Sequence, residues 1–257
     1  MHRRQVLAGL TATAFMSADV PGQSSPTFLE IKTWRLHNTP EDQGERVHEY
    51  LKNGLSPALA RAGARLDGAF SNIIGPDGPY YVTLVEFPSL AAMQETISKM
   101  RSDEDHRRAL EKLSSEPGLP FVRVESSLLQ SFSGMPSPVV QKSGERPRVF
   151  ELRTYESQSF LTLTRKVGMF NNSEMQIFER LGFRPVFFGE TIAGPRQPNL
   201  MYMLSYDDLA ARERLWHSFI SDPDWKKLSS QPELKDAQIV ANISNVILAP
   251  LEFSPIR

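Results

Sequence analysis

The sequence predicts an α+β protein made of two ferredoxin-like β-α-β-β-α-β repeats, packed sheet to sheet within one chain. Three observations lead there. The chain nearly repeats itself at a constant offset, each copy runs through strand and helix patterns in the same order, and a turn-rich segment separates the copies. "SDEDHRRAL" from Ser102 returns as "SDPDWKKLS" from Ser221, and "EIKTWRL" from Glu30 returns as "ELRTYES" from Glu151. "ALARAG", ending at Gly63, returns as "IFERLG", ending at Gly182; "VTLVEFPSLAA" from Val82 as "YMLSYDDLAAR" from Tyr202; "ESSLLQSF" from Glu125 as "SNVILAPL" from Ser244. The offset stays between 119 and 121 residues, too long a period for a solenoid with two copies, so each copy is a small domain.

The first repeat, residues 27–133, opens on the strand "TFLEIKTWRL". Leu29, Ile31 and Thr33 share one face of it and Glu30, Lys32 and Trp34 the other. Thr39 is placed to cap a helix with Pro40 at its first position and Asp42 in its first turn. Val47, Leu51, Leu55, Ala58 and Ala62 recur at helical spacing, and Gly63 is a natural stop. "GAFSNII" and "YYVTLVEF" flank the turn chemistry of "GPDGP" and read as a hairpin. Ser89 is placed to cap the second helix and Ser102 a short third one, and "FVRVESSLLQSF" closes with a strand. The order is the split β-α-β pattern of an antiparallel sheet with helices on one face.

The second repeat, residues 148–257, follows suit. "RVFELRTYE" is its first strand, and "GMFNNSEMQIFERLG" ends its first helix. "RPVFFGETI" and "NLMYMLSY" form the hairpin around "AGPRQP"; Ser205 or Asp208 starts the next helix, Ser221 caps the short one, and "QIVANISNVILAP" closes. Residues 134–147, "GMPSPVVQKSGERP", are a linker. A four-stranded sheet with helices on one face leaves the other bare, so two sheets in one chain pack face to face or curl into one barrel. The duplication thus makes an internal pseudo-dimer, as a monomer or within a higher homo-oligomer.

Composition bounds the function classes. Among 257 residues 40% are hydrophobic and 23% charged, ordinary values for a globular protein, and the formal net charge is −1. Without a basic excess or a basic run, nucleic acid is not expected as a partner. There is no cysteine, which rules out disulfides, thiolate metal sites and cysteine nucleophiles. Residues 1–26 read as a signal peptide: Arg3 and Arg4 form a positive n-region of twin-arginine type, followed by a short apolar run from Val6 to Phe15. That run is too short for a stable membrane span. The expected location is exported or periplasmic; otherwise the chain is cytoplasmic.

From "VFELRTYES" through "PNLMYMLSYDDLAARERLWHSFISDPDWKKL", the second repeat resembles the NIPSNAP family. "FVRVESSLLQSF" and the closing "NISNVILAPL" resemble tandem bacterial members, so the likeness covers about residues 28 to 255. The resemblance implies a dimeric α/β-barrel and no agreed reaction. Related barrel families include cofactor-independent monooxygenases, haem-degrading enzymes and chlorite dismutases, an analogy of fold alone. The first repeat departs from the pattern at His106, where the second has Trp225.

Candidate site residues follow from strand alternation. Phe150, Leu152 and Thr154 are expected to meet the helices, and Glu151, Arg153 and Tyr155, with Glu30, Lys32 and Trp34 in the first repeat, to line the space between the sheets. They form either a polar-walled pocket for an amphiphilic ligand or an acid–base ladder that only stabilises the paired sheets. Glu190 joins the candidates from "PVFFGETIAGPRQPN", whose Arg196 and Asn199 either grip a ligand or partner near the barrel mouth or are turn chemistry with a solvated arginine. His2, His37, His48, His106 and His217 show no metal-ligand spacing, and no P-loop or G-x-G-x-x-G occurs, so neither metal nor cofactor is expected. Asp222 and Asp224 of "DPDW" read as a helix start complementing the helix dipole, not as a catalytic pair. The leading expectation is a barrel that binds a small apolar or aromatic molecule between its sheets. The alternatives are a cofactor-independent monooxygenase or isomerase in the same cavity, and a structural or protein-interaction module. A filled, dry space between the sheets would remove the first two, and the structural or interaction module, with function on outer surfaces, would then lead.

Overall fold

The computed structural model describes residues 25–38, 40–140 and 148–257. Thr39, the leader reading up to residue 24 and linker residues 141–147 lie outside these. Strands β1 (Phe28–Arg35), β2 (Leu66–Ile74), β3 (Tyr80–Phe87) and β4 (Arg123–Ser131) come from the first repeat. Strands β5 (Val149–Glu156), β6 (Arg184–Ala193), β7 (Asn199–Tyr206) and β8 (Asn242–Pro250) come from the second. They close into one antiparallel barrel in the order β1-β3-β2-β8-β5-β7-β6-β4, with β4 returning to β1. Each repeat keeps its own four-stranded order, and β2–β8 and β4–β6 are the two seams. Closure leaves no free sheet edge, which is how eight strands avoid edge-to-edge aggregation.

The helices wrap the outside. In the first repeat they are α1 (residues 43–62), α2 (Leu90–Ser102) and α3 (Glu104–Ser115). In the second they are α4 (residues 160–181), α5 (Leu209–Ser221), α6 (Pro223–Ser229) and α7 (Asp236–Ile239). α1 and α4 each carry a π-helical stretch, Leu51–Leu55 and Phe170–Glu174, at the same place in both repeats. Both helices stop at a left-handed glycine, Gly63 and Gly182; such a residue pays no Cβ penalty there. Asp42, itself left-handed, caps α1 through Glu45 N, one turn later than a Thr39 cap would place it. The caps of α3 and α6 are Asp103 and Asp222, one residue beyond Ser102 and Ser221, which end the preceding helices. A carboxylate accepts from backbone N–H groups better than a hydroxyl, so the Asp takes the cap. The "DPDW" stretch is therefore a helix start, and Arg180 forks onto Asp222 and Asp224 at 2.9–3.0 Å.

Apolar side chains fill three layers. The barrel interior holds Leu29, Ile31, Phe70, Leu84, Leu129, Phe150, Leu152, Phe187, Met203 and Leu248, all buried. The chain end plugs it from one side: Ile256 N donates to the Asp67 carbonyl and its side chain enters this cluster. The other two layers lie between the barrel wall and the helices, one per repeat. This reverses the facing expected for β1 and β5. Phe150 and Leu152 look into the barrel, whereas Glu151, Arg153 and Tyr155, like Glu30, Lys32 and Trp34, look outward under the helices. Apolar side chains pack the space between the sheets up to one mouth, where Ile31, Val82, Leu152 and Met201 line an opening. That mouth is a cleft of about 140 Å³ where Arg35, Glu125, Arg196 and Asn199 stand.

Gly54, within the π-helical stretch of α1, lets this helix lie close against α3. A Cβ there would fall 2.8 Å from the Tyr50 ring and 2.8 Å from Ala109 Cβ on α3. Gly54→Ala is expected to displace Tyr50 and to cost about 1–3 kcal/mol of overpacking, read from thermal unfolding.

Candidate functional site

The layer between barrel and helices differs between the repeats. In the second it is filled by Tyr155, Phe170, Phe178, Phe188, Tyr202 and Phe219, with Trp216 and Trp225 packed against them. Ring centroids there lie as close as 4.3 Å (Phe219–Trp225) and 5.2 Å (Phe188–Tyr202). In the first repeat the same layer holds a chamber of about 390 Å³, within the range of small-molecule sites.

Side-chain size accounts for the difference. Register and caps put Thr83 opposite Lys32 as they put Tyr202 opposite Arg153. Counting from the helix starts and caps, Ile97 stands where Trp216 does, Met100 where Phe219 does, Leu59 where Phe178 does, and His106 where Trp225 does. All five first-repeat residues line the chamber, and all five counterparts carry larger rings. Two exchanges run the other way, Trp34 for Tyr155 and Tyr50 for Met169, and these supply aromatic walls together with Phe87 and Phe121. Trp34 meets Tyr50 at 5.7 Å and the edge of Phe121 at 5.5 Å.

Polar groups enter the chamber at two places. At its rim Lys32 Nζ lies 2.9 Å from Glu30, whose other oxygen accepts from Ser126 at 3.4 Å. Deeper, the Tyr50 hydroxyl lies 3.0 Å from His106 Nε2, and His106 Nδ1 is 3.1 Å from the Met100 carbonyl. Burial pushes the Tyr50 phenol up to about 12. Both ring nitrogens of His106 are engaged, so the chamber presents no free imidazole nitrogen as an axial haem ligand. Among the described residues no group of three acidic or imidazole side chains is placed to hold a metal ion, and no helix is long and apolar enough to cross a membrane.

The candidates from the second repeat come together as well, but as a closed network. Glu151, fully buried, accepts from Arg153 and Arg212 at 2.6 Å, Asn245 at 2.9 Å, Tyr206 at 3.0 Å and Trp216 at 3.1 Å. Arg153 also donates to the Tyr155 hydroxyl at 3.0 Å and lies 4.3 Å from the Trp216 ring. Burial works to raise the Glu151 carboxyl; the Arg212 hydrogen bond and the Arg153 and Arg212 charges outweigh it and hold it at about 2. Both carboxylate oxygens are thus engaged by donors from β5, β7, β8 and α5. Glu190 joins neither group: it stands on β6 opposite Gln130, half-buried, its carboxyl raised by burial. His48 pairs with Glu252 at 3.0 Å. Tyr50 carries no motif, and the sign that marks it is the mismatch of small against large residues when the repeats are laid over each other.

The comparisons with known proteins agree with this architecture. The NIPSNAP family model matches residues 150–255. A candidate monooxygenase from Lactobacillus acidophilus has a TM-score of 0.58 at 14% identity, covering 88% of this chain and 94% of that one. One from Fusobacterium nucleatum has a TM-score of 0.56 at 9% identity, covering 89% and 94%. A NIPSNAP family protein of unknown function from Agrobacterium tumefaciens is 19% identical, covering 46% of this chain and 100% of that one at a TM-score of 0.39. No curated protein matches the chain. At these identities the likeness to the Lactobacillus and Fusobacterium structures is one of fold alone.

Proposed function

We propose, from the premise that this chain is a NIPSNAP family protein by its second repeat, that its first repeat binds one small aromatic molecule between the barrel wall and helices α1–α3. The chamber carries the reading: the aromatic plug of the second repeat is replaced in the first by five smaller side chains, and the space is walled by rings. Apolar walls supply affinity, and the Glu30–Lys32 and Tyr50–His106 pairs orient a polar substituent. The second repeat, filled and cross-linked by its own charges, completes the barrel on which the chamber stands.

The test uses N-phenyl-1-naphthylamine, an uncharged fluorophore that brightens in apolar surroundings. The wild type is expected to bind one equivalent saturably. Ile97→Trp places in the chamber the residue the second repeat has there, with Glu30 positioned for its indole N–H as Glu151 is for that of Trp216. It is expected to weaken binding at least about tenfold, close to 1.4 kcal/mol, with the melting temperature kept or raised. Equal affinity in the two proteins, or no binding to either, would remove the ligand reading and leave a structural or protein-interaction module.

A further inference from the structure

Within the chamber, the pairing of Tyr50 with His106 has no counterpart in the second repeat, where Met169 and Trp225 occupy the same positions. The hydrogen bonds assign its protons. The Met100 carbonyl can only accept, so the hydrogen of His106 sits on Nδ1 and the lone pair on Nε2. Tyr50 then donates its hydroxyl hydrogen to Nε2. The phenol oxygen keeps its own lone pairs, and both residues line the apolar space. Packing alone requires no such pair, because the other repeat closes the layer with a thioether and an indole.

We infer that the Tyr50–His106 pair accepts the proton of an acidic hydroxyl on the bound ring, so that the chamber holds a hydroxyarene as its aryloxide. This rests on the chamber being a ligand site. The O–H bond of the ligand breaks and its proton passes to Tyr50 Oη, while the hydrogen that Tyr50 held moves to His106 Nε2. The electron pair stays on the ligand oxygen. His106 becomes an imidazolium whose Nδ1–H still faces the Met100 carbonyl, so atoms and charge balance without another reactant. With its phenol raised to about 12 by burial, Tyr50 remains a neutral relay. Other charges around the pair are Arg46 on α1, donating to the Leu113 and Pro117 carbonyls, Asp103 on α3, paired with Arg61, and Arg101 on α2. From β1 come Glu30 and Lys32, and Lys32 is the cation that could hold an aryloxide instead.

4-Nitrophenol separates these roles, because its anion absorbs visible light and its neutral form does not. 4-Nitroanisole offers the same ring without a proton and reports on the chamber alone, by displacing the naphthylamine. Below the pKa of free 4-nitrophenol, the wild type is expected to show the phenolate band and to prefer 4-nitrophenol over 4-nitroanisole by about 10- to 100-fold. Tyr50→Phe and His106→Gln are expected to lose band and preference while keeping the 4-nitroanisole affinity, and Lys32→Gln to keep both. A wild type that binds 4-nitrophenol without the band, or a band that survives in both pair variants, overturns the inference while the chamber stands. Failure of the wild type to bind either nitroarene or the naphthylamine overturns the chamber and the inference together.

Discussion

Glu151→Ala is expected to lower the stability of the folded chain by about 3–5 kcal/mol, a fall of roughly 6–20 °C in melting temperature for a chain of this size. The carboxylate has no exposed side-chain surface and accepts from five donors. Its removal leaves Arg153, whose side chain is 10% exposed, under the rings of Trp216 and Tyr155 without the carboxylate it is bonded to. The equivalent Glu30→Ala in the first repeat is expected to cost about 0–1 kcal/mol. There the partner lysine is 34% exposed and rehydrates once released. Chemical denaturation of both variants measures the contrast, and equal losses would contradict it.

The same network sets the acid limb of stability. Glu151 titrates at about 2 in the folded protein against an ordinary value of 4.5. A depressed carboxyl contributes stability that is complete above its unfolded value and lost as pH falls through the folded one. The loss attributable to Glu151 therefore runs from pH 4.5 down to about 2 and amounts to roughly 3 kcal/mol. Glu151→Gln should flatten that part of the profile.

Glu174→Ala is the second large effect, also about 3–5 kcal/mol. Lys166 and Glu174 pair at 2.9 Å with both side chains almost wholly buried, and the ammonium stands 4.9 Å from the Phe170 ring and 5.5 Å from that of Trp225. Removing the carboxylate leaves the buried ammonium with only the more distant Asp236 carboxylate, 3.9 Å away at the surface. The molecule contains its own control, because Val47 and Leu55 hold the same positions in the first repeat. The double variant Lys166→Val, Glu174→Leu is expected to fall within about 1 kcal/mol of the wild type or above it, since apolar packing often matches a buried ion pair. A double variant as unstable as Glu174→Ala would show that the pair does more than satisfy its own charges.

Much of the fold was legible because its signals are local. Ser89 and Asp208 cap helices where their side chains reach the third N–H, and Gly63 and Gly182 stop helices where only a left-handed residue fits. Of the candidate residues, Glu151, Arg153 and Tyr155 form a closed network and Glu190 stands apart on β6. Glu30, Lys32 and Trp34 do line a chamber, but beneath the helices rather than between the sheets. Tyr50 was missed because it reads as one more apolar helix position, and His106 acquires a role only through the tyrosine one element away.

By itself the sequence determined the duplication, the β-α-β-β-α-β order and the pairing of residues by face, since each depends on spacing within a few turns of chain. Only the tertiary structure decided which face of each strand looks inward. In a barrel wrapped by helices both faces are buried, so alternation sets parity but not sign, and hydrophobicity cannot break the tie. The chamber, too, belongs to the tertiary structure. It is the sum of small differences in volume at Leu59, Thr83, Ile97, Met100 and His106, residues of four separate elements that only the closed barrel brings to one place.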